Sequence, residues 1–212
     1  MIGLTGAVGA GKSTLAAQLT RLGCAVLDVD GYGHEALDSE PVRDAIRRDF
    51  GPGALRADGA VDRAAVARAA FADAALRRRL EEAVHPVVRR RVTSELAAAR
   101  RGRPRAVVID CALLFEGGLD VLCDATVAVD AAPEAREVRL RTSRGWTADE
   151  VRSREAAQFS AETKGARADR VIRNDAGEDS LAAAAERLLD EVAPVTPRSP
   201  RRHAATQERN DG

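Results

Sequence analysis

Met1-Ile2-Gly3-Leu4-Thr5-Gly6-Ala7-Val8-Gly9-Ala10-Gly11-Lys12-Ser13-Thr14 is the stretch whose reading decides the fold. Its first five residues read as a short buried strand, and Ser13 to Leu22 reads as a helix. Between them, Gly6 to Ser13 fit the phosphate-loop pattern G-x-x-x-x-G-K-[ST]. The glycines let successive backbone N–H groups turn inward around a phosphate without Cβ clashes. The phosphates then rest on a helix N-terminus. Lys12 reaches the β- and γ-phosphates as a point charge, and the Ser13 hydroxyl is placed to ligate Mg²⁺. Gly6, Gly9, Ala10, Gly11, Lys12, Ser13 and Thr14 are therefore the candidate nucleotide-binding residues.

Outward from this loop, strand and helix patterns alternate. Ala25 to Val29 reads as a second strand, ending at Asp30-Gly31, and a helix is expected from His34 to about Arg48. Asp62 is an expected N-cap of an almost wholly helical stretch to about Arg101, broken near Asp73 and at His85-Pro86. Ala106 to Asp110 and Ala125 to Asp130 are continuous apolar runs, as in buried parallel strands. Pro133 opens a helix to about Arg144. Thr147-Ala148-Asp149-Glu150 is a capping box for another, to about Phe159. A short strand at 168–174 and a helix from Glu178 to Val192 complete the pattern. Strands alternating with helices predict an α/β fold, a doubly wound parallel sheet of about five strands of the P-loop NTPase type. Residues 194–212 carry prolines and charges with almost no large apolar residue, and are expected to be a disordered tail. There is no internal repeat.

In open α/β sheets ligands bind at the carboxyl ends of the strands. Asp28 and Asp30 share a face at the end of the second strand. Asp30, last in the run, is the better placed to take the proton of an acceptor hydroxyl and hold its oxygen in line. Asp110 closes the third strand in the position of a Mg²⁺-shell carboxylate. Arg139, Arg141 and Arg144, with Arg152, Arg154 and Lys164 beyond, supply cations of the kind a mobile lid brings to transferring phosphates. Arg144 is the candidate catalytic arginine.

The bulk numbers exclude several classes. Lys+Arg and Asp+Glu are 33 each and the pI is near 6.9, so no global field calls for nucleic acid or a membrane surface. Aromatic residues are 3%, too few for base-stacking platforms. No apolar run approaches the ~18 residues of a membrane span, and no signal peptide is expected before the first strand. Three separate cysteines, Cys24, Cys111 and Cys123, lack metal-like spacing and point to a reducing, cytoplasmic setting. Lysine occurs only at Lys12 and Lys164 among 33 basic residues. At each, an arginine would not serve.

These residues resemble the dephospho-CoA kinases of coenzyme A biosynthesis over roughly residues 1–192. Gly6 to Thr14 is similar to the family's P-loop, and Leu27-Asp28-Val29-Asp30 to its D-x-D element, whose second Asp is the proposed base. Phe50-Gly51, Asp58-Gly59, Asp62-Arg63 and His85-Pro86 match in order and spacing. Asp110 to Glu116 resembles the D-x-P-L-L-[FY]-E segment, and Gln158, Lys164 and Ala168 to Asn174 the late Q…K…AD-x-VI-x-N run.

The resemblance implies ATP-dependent phosphorylation of the ribose 3′-hydroxyl of dephospho-CoA, the last step of coenzyme A synthesis, with ATP and Mg²⁺. It implies a kinase domain over 1–193, with an inserted helical acceptor subdomain at about 62–101 and a lid at about 144–165. Asp30, His85, Leu113 and Glu116 would bind the acceptor, Asn174 would lie beside the adenine, and Ser13 and Asp110 would serve the metal. The expected partners are small molecules, with no nucleic acid or membrane, and the chain is expected to be a monomer. Two positions depart from the pattern. Ala112 stands where the family usually has proline, so the 110–116 loop is expected to be softer. Ser143 replaces one arginine of the lid entrance, leaving Arg144 beside it.

Competing readings are a GTP switch, another small-metabolite or nucleotide kinase, and a non-catalytic nucleotide-binding module. The first lacks an N-K-x-D guanine motif. The second shares the fold and is opposed by His85-Pro86 and the Asp110–Glu116 segment. The third is opposed by the intact Lys12, Ser13, Asp30 and Asp110.

Overall fold

A computed structural model of the chain describes residues 1–175 and 177–193. The tail expected at 194–212 lies outside them. Five strands, β1 (Ile2–Gly6), β2 (Ala25–Asp28), β3 (Val107–Asp110), β4 (Ala125–Asp130) and β5 (Arg170–Arg173), form one sheet in the order β2-β3-β1-β4-β5. Every pairing is parallel, with Ile2 opposite Val108 on one side and Ala125 on the other. The helices are α1 (Lys12–Arg21), α2 (Val29–Ala36), α3 (Glu40–Phe50), α4 (Arg63–Ala72), α5 (Ala74–Arg101), α6 (Pro133–Arg144), α7 (Ala148–Ala156), α8 (Ala161–Arg167) and α9 (Glu178–Val192).

The two-residue period of β3 divides the core. Val108 joins Leu15 and Leu19 of α1 and Leu181, Leu188 and Leu189 of α9 on one face. Val107 and Ile109 join Val92 of α5, Leu114 and Leu119 on the other. All four β3 residues are buried, which is why the segment reads as continuously apolar. A third cluster, Val42, Ile46, Ala54, Val61 and Val66, lies between α3, α4 and the first half of α5.

Four boundaries differ from the sequence expectation. β2 stops at Asp28, whose side chain accepts from Gly31 N–H and starts α2; Asp30 thus sits in the first turn of a helix rather than at a strand end. The single helix expected over 34–48 is two, α2 and α3, separated at Leu37–Ser39. The segment expected to run to Phe159 ends at Ala156, and α8 follows, with Ser160 accepting from Thr163 N–H. Asp73 does separate α4 from α5, capping Ala75 and Leu76. Pro86, however, does not break α5. A mid-helix proline costs about 3 kcal/mol. Here Leu80, Ala83, Val84 and Val87 pack on the third cluster, and Val88, Val92 and Leu96 on the sheet. That burial on both sides carries the helix through.

Candidate active site

The P-loop leaves β1 at the centre of the sheet and enters α1 through two left-handed glycines, Gly9 (φ 76°) and Gly11 (φ 101°). A Cβ at Gly9 would stand 2.8 Å from the Leu140 side chain of α6 and 3.1 Å from the Arg136 carbonyl oxygen. At Gly11 it would stand 2.3 Å from Asn174 Nδ2. The loop is thus clasped by α6 and by the residue after β5, and both glycines are required by conformation and by space.

Lys12 opens α1, and its Nζ donates to Asp30 Oδ2 at 2.8 Å and to Asp110 Oδ1 at 2.6 Å. Burial works to lower the Lys12 pKa, but the charges of Asp110 and Asp30 outweigh it and hold the ammonium above the ordinary lysine range. Burial pushes the Asp110 carboxyl up, and Lys12 opposes that rise. The two carboxylates differ in access. Asp110's side chain is 11% exposed and Asp30's is 36%. Asp110 is nearly enclosed, and Asp30 stays partly open to solvent.

Asp30 is also held from the side. The Ala112 N–H donates to its carboxylate at 3.0 Å (Oδ1) and 3.2 Å (Oδ2). A proline at this position would have no such donor. The Ala112 carbonyl accepts from Thr5 Oγ1 at 2.9 Å and Lys164 Nζ at 2.8 Å. The softening expected at Ala112 is therefore not what its bonding shows: the residue is tied at both its N–H and its C=O.

Lys164 is fully buried. Its ammonium also donates to the Gly6 carbonyl at 3.3 Å and to Gln158 Oε1, and lies 3.8 Å from Glu116 Oε1. Burial pulls its pKa below the ordinary lysine value, with the Glu116 charge acting the other way. Glu116 Oε1 accepts from Phe159 N–H at 2.7 Å, while Oε2 is buried with no hydrogen-bond partner among the described residues. Leu113, on the same loop, is exposed.

On the opposite side of the P-loop, Asn174 Nδ2 donates to the Ala10 carbonyl at 2.8 Å, and Arg139 Nη2 to the Asn174 carbonyl at 2.7 Å. Asn174 Oδ1 and Arg139 Nη1 are buried without partners among the described residues. Arg136 Nη1 donates to the Val8 carbonyl at 3.3 Å and to Glu155 Oε1 of α7, and its Nε donates to the Ala131 carbonyl. One guanidinium therefore joins the P-loop to α7.

The structure brings Lys12, Asp30 and Asp110 together, with Ser13 exposed one residue into α1 and Asn174 behind the loop. It does not bring Arg144 to them. That guanidinium stacks over the Trp146 ring at 5.0 Å, and Arg154 lies over the same ring at 4.0 Å. His85 is half-buried in α5 with no side-chain hydrogen bond to the P-loop or Asp30 among the described residues. Thr5 and Arg136 were not singled out from the sequence. Arg136 had a signal available: it lies four residues before Leu140, on the helix face that meets Gly9.

Comparison with known proteins adds identity to this geometry. A model of the dephospho-CoA kinase family matches residues 1–180. A dephospho-CoA kinase of Symbiobacterium thermophilum is 43% identical over 188 residues, 88% of this chain and 78% of that protein. Its counterpart in Anaeromyxobacter dehalogenans is 42% identical over 194 residues, 91% and 92% of the two chains. Among solved structures, TT1252 from Thermus thermophilus superposes with a TM-score of 0.79 at 37% identity, over 90% of this chain and 96% of that one. The match takes in β1 and the P-loop, the Asp30 and Asp110 positions, and the run through Asn174, so the chain belongs to the dephospho-CoA kinase family.

Proposed function

We propose that this protein transfers the γ-phosphoryl group of ATP to the ribose 3′-hydroxyl of dephospho-CoA, giving coenzyme A. The observation that carries the reading is Lys12, held between Asp30 and Asp110 at the mouth of a P-loop in a chain of this family.

In the reaction Lys12 leaves its two carboxylates for the β/γ-phosphate oxygens, where charge grows as the bond to the leaving oxygen breaks. Asp30, partly exposed beside Lys12, accepts the proton of the 3′-hydroxyl and aims its oxygen at the γ-phosphorus. The N–H groups at the start of α1 cradle the phosphates. Asn174 and the loop after it would lie beside the adenine. Residues 62–101 are assigned to the acceptor subdomain and residues 144–165 to the lid, whose arginines screen the transferring group.

The donor set fits Mg²⁺. Among the described residues no cluster of three or more His, Cys, Asp or Glu forms a metal cage. Magnesium is ordinarily held by one or two carboxylates, waters and substrate phosphates, without a full protein cage. Ser13 and Asp110 would hold it here. When bound, the ion neutralises charge on the β- and γ-phosphate oxygens.

The test is an ADP-release assay over an acceptor panel. Dephospho-CoA should be the good substrate, with AMP and adenosine lower by about 10²-fold or more in kcat/KM, because charged contacts to the pyrophosphate are lost. ³¹P NMR should place the new phosphate on the 3′-oxygen. AMP performing as well as dephospho-CoA would mean a nucleotide kinase on the same fold.

A further inference from the structure

We infer that Thr5 and Lys164 are positioning residues for Asp30, acting through the backbone of Ala112. The inference rests on the reading of Asp30 as the proton acceptor.

Three elements meet at Ala112. Its N–H bridges both oxygens of the Asp30 carboxylate on α2, at 3.0 and 3.2 Å. Its carbonyl takes one hydrogen bond from Thr5 of β1 at 2.9 Å and one from Lys164 of α8 at 2.8 Å, which uses both lone pairs. Thr5 and Lys164 are both fully buried. A residue just past the end of β3 is thereby fixed from the central strand and from a helix 52 residues further on.

Among the described residues the Asp30 side chain has two hydrogen-bond partners, Lys12 and the Ala112 N–H. Nucleotide binding draws Lys12 to the phosphates. The Ala112 amide is the hold that remains, at the stage when the carboxylate must meet the acceptor hydroxyl. A reacting group displaced by about 1 Å can lose about 10²-fold in rate. Small rotations of residue 112 therefore reach the chemistry although its own side chain is a methyl.

The geometry also accounts for a lysine at 164. An ammonium presents three donors on a tetrahedral centre, and here they meet the carbonyls of Gly6 and Ala112 and the Gln158 side chain. A planar guanidinium is too wide, and its donors diverge in one plane.

The experiment measures kcat and KM for ATP and dephospho-CoA in Thr5→Val, Thr5→Ser and Lys164→Met, each alone and combined with Asp30→Asn. Thr5→Val removes the donor with little change of shape, and Thr5→Ser keeps it. Thr5→Val should lower kcat by about five- to tenfold with KM for ATP within about twofold, and Thr5→Ser should stay within about twofold of wild type. Lys164→Met should lose more. In the Asp30→Asn background Thr5→Val should cause no further loss, because the group it positions has gone. The same fold-loss in both backgrounds, a loss appearing in KM for ATP, or no rescue by Thr5→Ser would overturn the inference. If Lys164→Met fails to fold, the Thr5 series decides alone. If Asp30→Asn itself turns over like wild type, the base assignment falls and the inference with it, an outcome distinct from additivity.

Discussion

Lys12 Nζ stands 2.6 Å from Asp110 Oδ1, so the P-loop cation and the enclosed carboxylate are already paired in the free protein. Nucleotide phosphate must compete for that lysine. The pairing also keeps two nearby carboxylates, Asp110 and Asp30, from facing each other without a cation between them.

Lys12→Ala should therefore lower kcat by about 10²-fold or more, since the lost contact strengthens as charge moves onto the leaving oxygen. Circular dichroism should show the fold retained. Turnover near wild type would remove Lys12 from the catalytic machinery.

Asp28 and Asp30 separate cleanly in the structure, and so should their variants. Asp28 caps α2 through Gly31 N–H, a job asparagine does as well, so Asp28→Asn should keep both activity and melting temperature. Asp30→Asn keeps shape and loses the proton acceptor, so kcat should fall while ATP affinity, read by equilibrium binding, holds. The reverse pattern would move the base to Asp28.

Glu155→Gln tests the tie between the P-loop and α7. It removes the charge facing Arg136 and leaves the Arg136–Val8 contact in place. We expect slower acceptor phosphorylation and faster ATP hydrolysis without acceptor, each by a few-fold, as α7 loses its hold and water enters. Arg136→Ala should also raise KM for ATP, because the Val8 carbonyl loses its donor. Equal effects of the two variants on every parameter would argue against separate roles.

Asp169 gives a pH dependence of stability. Its carboxylate accepts from the Thr126 hydroxyl and N–H, bonds that hold its pKa below the ordinary 3.8. A depressed folded-state value favours the ionised form, so the contribution is complete above about pH 4 and is lost as pH falls through the folded value. The drop in melting temperature caused by Asp169→Asn should thus be larger at pH 7 than at pH 3. An equal drop at both would show that the charge plays no part.

The thiols should be inert. Burial pushes Cys111 up to about 12 and Cys123 up to about 11, and raises Cys24. At pH 8 a thiol titration of native protein should find almost no reactive group, and three after denaturation.

Much of the framework was legible because local chemistry and tertiary structure agree. The P-loop glycines sit where turn and space demand them, and the buried β3 reads apolar throughout. The errors fall where two local signals compete. Asp28 was legible as a strand-end carboxylate, but its capping bond to Gly31 turned the chain into α2 at Val29, five residues ahead of the expected His34. Pro86 carried a breaker's signal that packing on two clusters overrode. The support beneath Asp30 was largely hidden. Thr5 and Ala112 lie 107 residues apart and meet only because β1 and β3 are neighbours. Lys164 was marked by its rarity and by its place in the late Q…K run, neither of which said that it holds the backbone of Ala112.

The strand order has a consequence for biosynthesis. β1 is the middle strand, yet its partners are residues 107–110 and 125–130. During translation the segment that carries the nucleotide cradle is made some hundred residues ahead of both neighbours. At roughly 5–20 residues per second the wait is on the order of ten seconds. Through that interval an apolar strand and a glycine-rich turn have no sheet to join.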